Sequence, residues 1–101
     1  MITNHFFPLK ITKKATQAIQ NIRQNKNIDA KYALRIGVKG AGCSKDDFVL
    51  GFDLQKENDR LYDYLSIKVI IDKAQVMYLF GVELDYEVQS DGTSGFLFKK
   101  E

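Results

Sequence analysis

"YALRIGVKGAGCSKDDFVLGFDL", residues 32–54, reads as strand, glycine-rich loop, strand, and that reading decides the fold class. In its first part Tyr32, Leu34, Ile36 and Val38 fall on one side and Arg35 and Lys39 on the other. This is the period-two pattern of a half-buried strand. Its last part repeats the alternation with Phe48, Leu50, Phe52 and Leu54. Between them Gly40 and Gly42 flank Ala41, directly before Cys43 and Ser44. Glycine adopts positive φ without a steric penalty, so such a loop can bend sharply and bring its backbone close to a ligand. It is not a phosphate loop, because no Gly-Lys-Ser/Thr ending leads into a helix.

Upstream, "ITKKATQAIQNIRQNK" places Ala15, Ala18, Ile19 and Ile22 on one helical face, with Lys14, Gln17 and Asn21 opposite. Thr12 is a suitable N-cap, so a helix is expected over 13–25. Downstream, the charged "QKENDR" reads as a turn and "SIKVIID" as a strand with Ile67, Val69 and Ile71 on one face. A short helix near 73–80 follows, capped by Asp72, with Val76, Met77, Leu79 and Phe80 expected to pack inward. Gly81 suits the left-handed position just past its end. "VELDYEV" and "GFLFKK" complete the set as strands joined by the turn "QSDGTSG". Few crossovers are long enough for a parallel sheet. The expectation is therefore an α+β, β-rich domain spanning 1–101: a mostly antiparallel small sandwich or partly closed barrel, with an N-terminal helix and a short second helix.

The totals narrow the function. With 101 residues, 45% hydrophobic and 28% charged, the chain has the composition of an ordinary globular domain. Fifteen basic and 13 acidic side chains leave a net charge of +2, too balanced for a dedicated nucleic-acid binder. The basic pair Lys13–Lys14 reads as solvated surface. One cysteine cannot form an internal disulfide, which argues against a secreted, cross-linked scaffold. "MITNHFFPLKIT" has neither the apolar run nor the cleavage site of a signal peptide, and no stretch approaches the ~20 apolar residues of a membrane span. A cytoplasmic protein without membrane partners is expected.

Cys43 admits three readings: a buried small hydrophobe, a reactive thiol, or a metal ligand. Lys39 and Lys45 favour its thiolate, while Asp46 and Asp47 oppose it. Dithiol redox catalysis has no resolving cysteine to use. His5, the only histidine, has no partner at ligand spacing, and Asp46–Asp47 reads as a solvated loop rather than an acid/base couple. Glu83, Asp85 and Glu87 share one strand face and read as its wet side. No Ser–His–Asp or Cys–His arrangement can be assembled, so no enzymatic activity is expected.

Taken in order, "LKITKKATQAI", "LRIGVKGAGCS", "VLGFD", "IKVIIDKAQVMYLFGVELDY" and "GFLF" resemble the A-type iron–sulfur carriers, the HesB-like family, from about Leu9 to Phe98. The resemblance implies a compact β-rich domain that forms dimers or larger oligomers. It also implies binding of iron or an iron–sulfur cluster for transfer to apo-proteins, with assembly and recipient proteins as partners. Typical members carry one cysteine in Gly-Cys-Ser-Gly and two in a C-terminal Cys-Gly-Cys. Cys43 matches the first, within a ligand loop of Gly40, Gly42 and Ser44. Lys45 replaces the following glycine, Phe48 stands where tyrosine is frequent, and the sequence reaches Glu101 before any Cys-Gly-Cys. The expectation is a degenerate member: an accessory protein of cluster assembly binding iron or a cluster weakly through Cys43 in an oligomer. The alternative is a metal-free interaction or regulatory module on the same fold.

Overall fold

The structure is a computed structural model, and it describes residues 7–39 and 48–100. Its elements are β1 (Lys10–Ile11), α1 (Lys13–Asn25), β2 (Ala33–Val38), β3 (Phe48–Asp53), β4 (Asp59–Tyr64) and β5 (Ile67–Asp72). A 3₁₀ helix (Lys73–Leu79), β6 (Val82–Val88) and β7 (Ser94–Lys100) follow. The strands form two sheets, ordered β1-β6-β7 and β3-β2-β5-β4. Of the two expected architectures it is the two-sheet one, with no closed barrel.

The helix starts where the sequence expects it, and the reason is local. Thr12 has extended backbone, and its Oγ1 accepts from Ala15 N–H at 3.1 Å, satisfying one of the donors that a helix start leaves unpaired. The same hydroxyl donates to Asp85 Oδ1 at 2.7 Å, and Thr12 N–H donates to the Leu84 carbonyl at 3.0 Å. The cap therefore fastens α1 to β6. Ala15, Ala18 and Ile19 are buried, while Lys14, Gln17 and Asn21 face water.

The core lies between the sheets. Leu34, Ile36, Val38, Val69 and Ile71 from one sheet form one buried cluster with Val82 and Leu84 from the other, and Ala15 and Ile19 of α1 belong to it. Each large side chain removed from water here contributes about 1.5–3 kcal/mol relative to leaving it exposed.

Several local expectations are corrected. β4 occupies "DRLYDY", which overlaps the stretch read as a turn. Its hairpin to β5 closes through Leu65 (φ 49°) and Ser66 (φ 69°), both left-handed. A turn with positive φ at both central residues ordinarily announces itself by Asn-Gly, and this one does not. β2, with β5 as a parallel neighbour, is buried on both faces rather than half-buried, because Gln75 covers Gly37 and the Arg35 ion pairs fill the rest of the second face. The strands β3 and β4 form the excursion between β2 and β5, so no helix is needed for that crossover. β1 pairs β6 in parallel as well, and the other three pairings are antiparallel. The short helix is 3₁₀ and turns only Leu79 fully inward; Met77 is 72% and Phe80 48% exposed. Leu54, expected on a core face, is exposed just past the end of β3, and Val88, the last residue of β6, is exposed as well. Gly81 does take the left-handed conformation, φ 82°, just past the helix.

Candidate functional site

Gly40, Gly42, Cys43 and Ser44 lie outside the described residues, as do Lys45, Asp46, Asp47 and His5. What is described is the frame from which their segment leaves and to which it returns. The β2–β3 ladder runs up to the pair Val38↔Phe48, so residues 39–47 bridge one antiparallel pair. Both members of that pair are held from outside the hairpin.

Val38 is clamped by Gln75, on the 3₁₀ helix. Gln75 Oε1 accepts from Val38 N–H at 3.1 Å, and Gln75 Nε2 donates to the Val38 carbonyl at 2.9 Å. The amide thus satisfies both backbone groups of the last strand residue before the loop, where a ladder partner is lacking on that side. The clamp passes over Gly37, and a Cβ there would run into Gln75 Oε1. Glycine at position 37 is favoured by this close approach, not by backbone conformation, since a Cβ would push the end of the Gln75 side chain away. We expect Gly37→Ala to displace Gln75 and cost about 1–3 kcal/mol, the penalty for unmade buried backbone bonds. In a Gln75→Ala background the same substitution should cost far less; urea titrations of the four proteins in the cycle would show it. Equal costs in both backgrounds would mean that the clamp does not set the requirement.

Phe48, the first strand residue after the loop, stacks on Phe98 of β7, with ring centroids 4.5 Å apart and an interplanar angle of 12°. Phe98 pairs with Leu84 in the other sheet. The stack therefore ties the returning end of the loop to β7 and places the last strand beside it. Neither Gln75 nor Phe98 was identified from sequence as part of this frame. The available signal was Gly37, since a glycine inside a strand often marks the close approach of another group.

One pleat further along β2, on the same face as Gly37, Arg35 forms the main ion-pair network. Its Nη1 and Nη2 donate to the two carboxylate oxygens of Asp59, Nη1 at 2.8 Å, and Nε donates to Asp53 Oδ2 at 2.7 Å. Lys56 reaches Asp53 at 3.0 Å, and its own N–H donates to Asp59 at 2.7 Å. Asp59 is almost fully buried, its side chain 2% exposed. Hydrogen bonds from Arg35 hold both carboxyls below the usual carboxylate range, Asp53 at about 2, and the two aspartates raise Arg35 in turn. This network joins β2, β3 and the start of β4, and it explains why "QKENDR" folds back tightly. Arg35 was read as a solvent-facing residue; it is a buried-network cation.

On the three-stranded sheet, Asp85 is lowered to about 2, first by the Thr12 hydroxyl, then by the Tyr86 N–H and Lys99. Lys99 lies 3.1 Å from Asp85 and 3.4 Å from Glu87. The expected wet face of β6 is thus paired with cations rather than open for binding.

Among the described residues no cluster of three or more His, Cys, Asp or Glu is arranged to hold a metal ion, and no helix is long and apolar enough to cross a membrane. Chemically, the frame offers a short segment pinned at both ends, carrying in its sequence the only thiol of the 101 residues.

Comparison with known proteins gives this frame a context. The model of a family described as iron-sulphur cluster biosynthesis matches residues 7–101. The iron-binding protein IscA of Xenorhabdus nematophila is 35% identical over 91 residues, covering 89% of this chain and 82% of the relative. A solution structure of a protein from Aquifex aeolicus superposes with a TM-score of 0.70 at 35% identity, over 100% of this chain and 99% of that one. A crystal structure of IscA with the [2Fe-2S] cluster has the same fold, with a TM-score of 0.67 at 22% identity, covering 91% and 84%.

Proposed function

The chain belongs to the iron-sulphur cluster biosynthesis family, and from that premise we propose that it is an accessory protein of iron–sulfur cluster assembly. Iron or a cluster is its cargo, held weakly or transiently through Cys43. The observation that carries this reading is the retained Gly-Ala-Gly-Cys-Ser segment, inserted at a strand pair that Gln75 clamps on one side and the Phe48–Phe98 stack on the other. The Xenorhabdus nematophila relative, an iron-binding protein, and the [2Fe-2S] cluster of the structural neighbour support the same cargo.

Counting ligands shapes the rest of the proposal. Iron–sulfur clusters are held by about four thiolates, and the 101 residues contain one cysteine. Copies of the chain pool their Cys43 thiols, and small thiols such as glutathione complete the set. Self-association is therefore part of the proposal, and exposed Met77 and Leu65 offer apolar surface for it. Assembly or recipient proteins would be the other partners, and the cytoplasm the compartment.

Anaerobic reconstitution with ferrous iron, sulfide and glutathione tests the reading. The chain should acquire labile visible absorption corresponding to well below one cluster per chain. A colourless product with and without glutathione would leave the metal-free interaction module as the function.

A further inference from the structure

Away from the loop, α1 and β6 enclose a groove of about 520 Å³. Its apolar side is Ala18, Tyr86 and Val88; Lys13 and Lys14 stand on its polar side with Gln17 and Asn21. Val88 is 69% exposed, a large aliphatic side chain left facing solvent beside this groove. The two lysines are exposed and adjacent and, like Lys26, Lys73 and Lys100, make no ion pair among the described residues. The first turn of α1 also carries no acidic residue. Cations in that turn oppose the helix macrodipole, so the lysines weaken the helix where a carboxylate would strengthen it. A local choice that works against stability, next to an uncovered apolar surface, marks a position shaped by something other than folding.

We propose that this groove docks an acidic segment of a partner protein, an extended peptide with carboxylates flanking an apolar side chain. Charge complementarity selects the sign: two unpaired ammonium groups, with no carboxylate among the residues lining the groove. The apolar floor accepts the central side chain. The remaining polar groups select a peptide over a simple anion. Gln17 Nε2 donates to Asn21 Oδ1 at 3.3 Å, which leaves the Gln17 carbonyl and the Asn21 amide N–H for a peptide backbone. Two lysines are too few to hold a nucleic-acid backbone, whose binding rests on a run of phosphate contacts. The groove uses no residue of the loop frame, so this docking is independent of cargo binding at Cys43.

The experiment uses the metal-free full chain and a fluorescein-labelled peptide, Glu-Asp-Leu-Phe-Glu-Asp, followed by fluorescence anisotropy in low salt. Wild type should bind, and Lys13→Glu/Lys14→Glu should weaken binding about tenfold or more, as loss of complementary charge does at a small interface. Lys73→Glu/Lys100→Glu makes the same change in net charge on exposed lysines elsewhere and should stay within about twofold of wild type. Val88→Ser should weaken binding without altering its salt dependence, and circular dichroism checks that each variant folds. Binding should be unchanged in Cys43→Ser, which separates this proposal from the cargo reading. Absence of wild-type binding, or equal losses in the two charge-reversed variants, would overturn it. So would an oligonucleotide that competes better than the unlabelled peptide, or self-association that depends on Lys13 and Lys14 and excludes the peptide.

Discussion

Cys43→Ser is expected to return the reconstituted protein to a colourless state. Serine conserves the size and shape of cysteine but replaces a soft, readily ionised thiol with a hard hydroxyl, and iron–sulfur centres require thiolate sulfur. In these 101 residues no second cysteine can take over, so the loss should be complete rather than partial. His5 is the only imidazole in the sequence, and a single imidazole cannot hold a cluster. In the wild type, absorption should also depend on added glutathione, because the other ligand positions must be filled from outside the chain. The two dependences together separate a specific site from iron sulfide adhering to the surface: adherent material would ignore both. Colour that survives Cys43→Ser would remove this residue from the cargo site and with it the proposed mode of carriage.

How much of this was readable beforehand follows from the range of the interactions. α1 was legible because its signals are local: Thr12 caps a face repeating at Ala15, Ala18 and Ile19, all within one turn or two. β2 and β3 were legible because alternation survives even when one strand is buried on both faces. β4 was not, since the Leu65–Ser66 turn lacks the glycine or asparagine that positive φ favours, and its inward set, Arg60, Tyr62 and Tyr64, begins with a charge. The ligand loop was found from its glycines and cysteine. Its frame was missed because Gln75 acts on a strand 37 positions away, and Phe98 meets Phe48 across two sheets. Family resemblance supplied the cargo but not these anchors, which arise only when the chain is folded.

Arg35 was misread for the same reason, its carboxylate partner lying 24 positions away, and its removal should have the largest effect on stability. Arg35→Met keeps the stem that packs on the sheet and deletes the guanidinium. Asp59, 2% exposed, then retains only the Lys56 N–H as a donor. Breaking a buried pair from one side costs about 3–5 kcal/mol, a large part of the total stability of a small domain. Urea titration at neutral pH should therefore place the variant close to its unfolding threshold. The pH dependence identifies the cause. In the wild type Asp53 and Asp59 are both held below their ordinary value, so between about pH 4 and about pH 2 the folded state binds fewer protons than the unfolded one, and stability falls on acidification. In the variant, burial opposes ionisation of Asp59 with only the Lys56 N–H and the Lys56 charge to offset it. Its carboxyl therefore rises from the depressed wild-type value, the folded state takes up the proton sooner, and acidification toward pH 4 relieves part of the penalty. The gap between the two proteins should thus narrow as pH falls from 7 to 4. Arg35→Met/Asp59→Leu should recover part of the loss at pH 7, because it removes the stranded charge while leaving the Lys56 N–H without its acceptor. A gap that stays constant with pH, or a double variant no more stable than Arg35→Met, would show that packing of the arginine stem, and not its charge, holds β2 to the turn before β4.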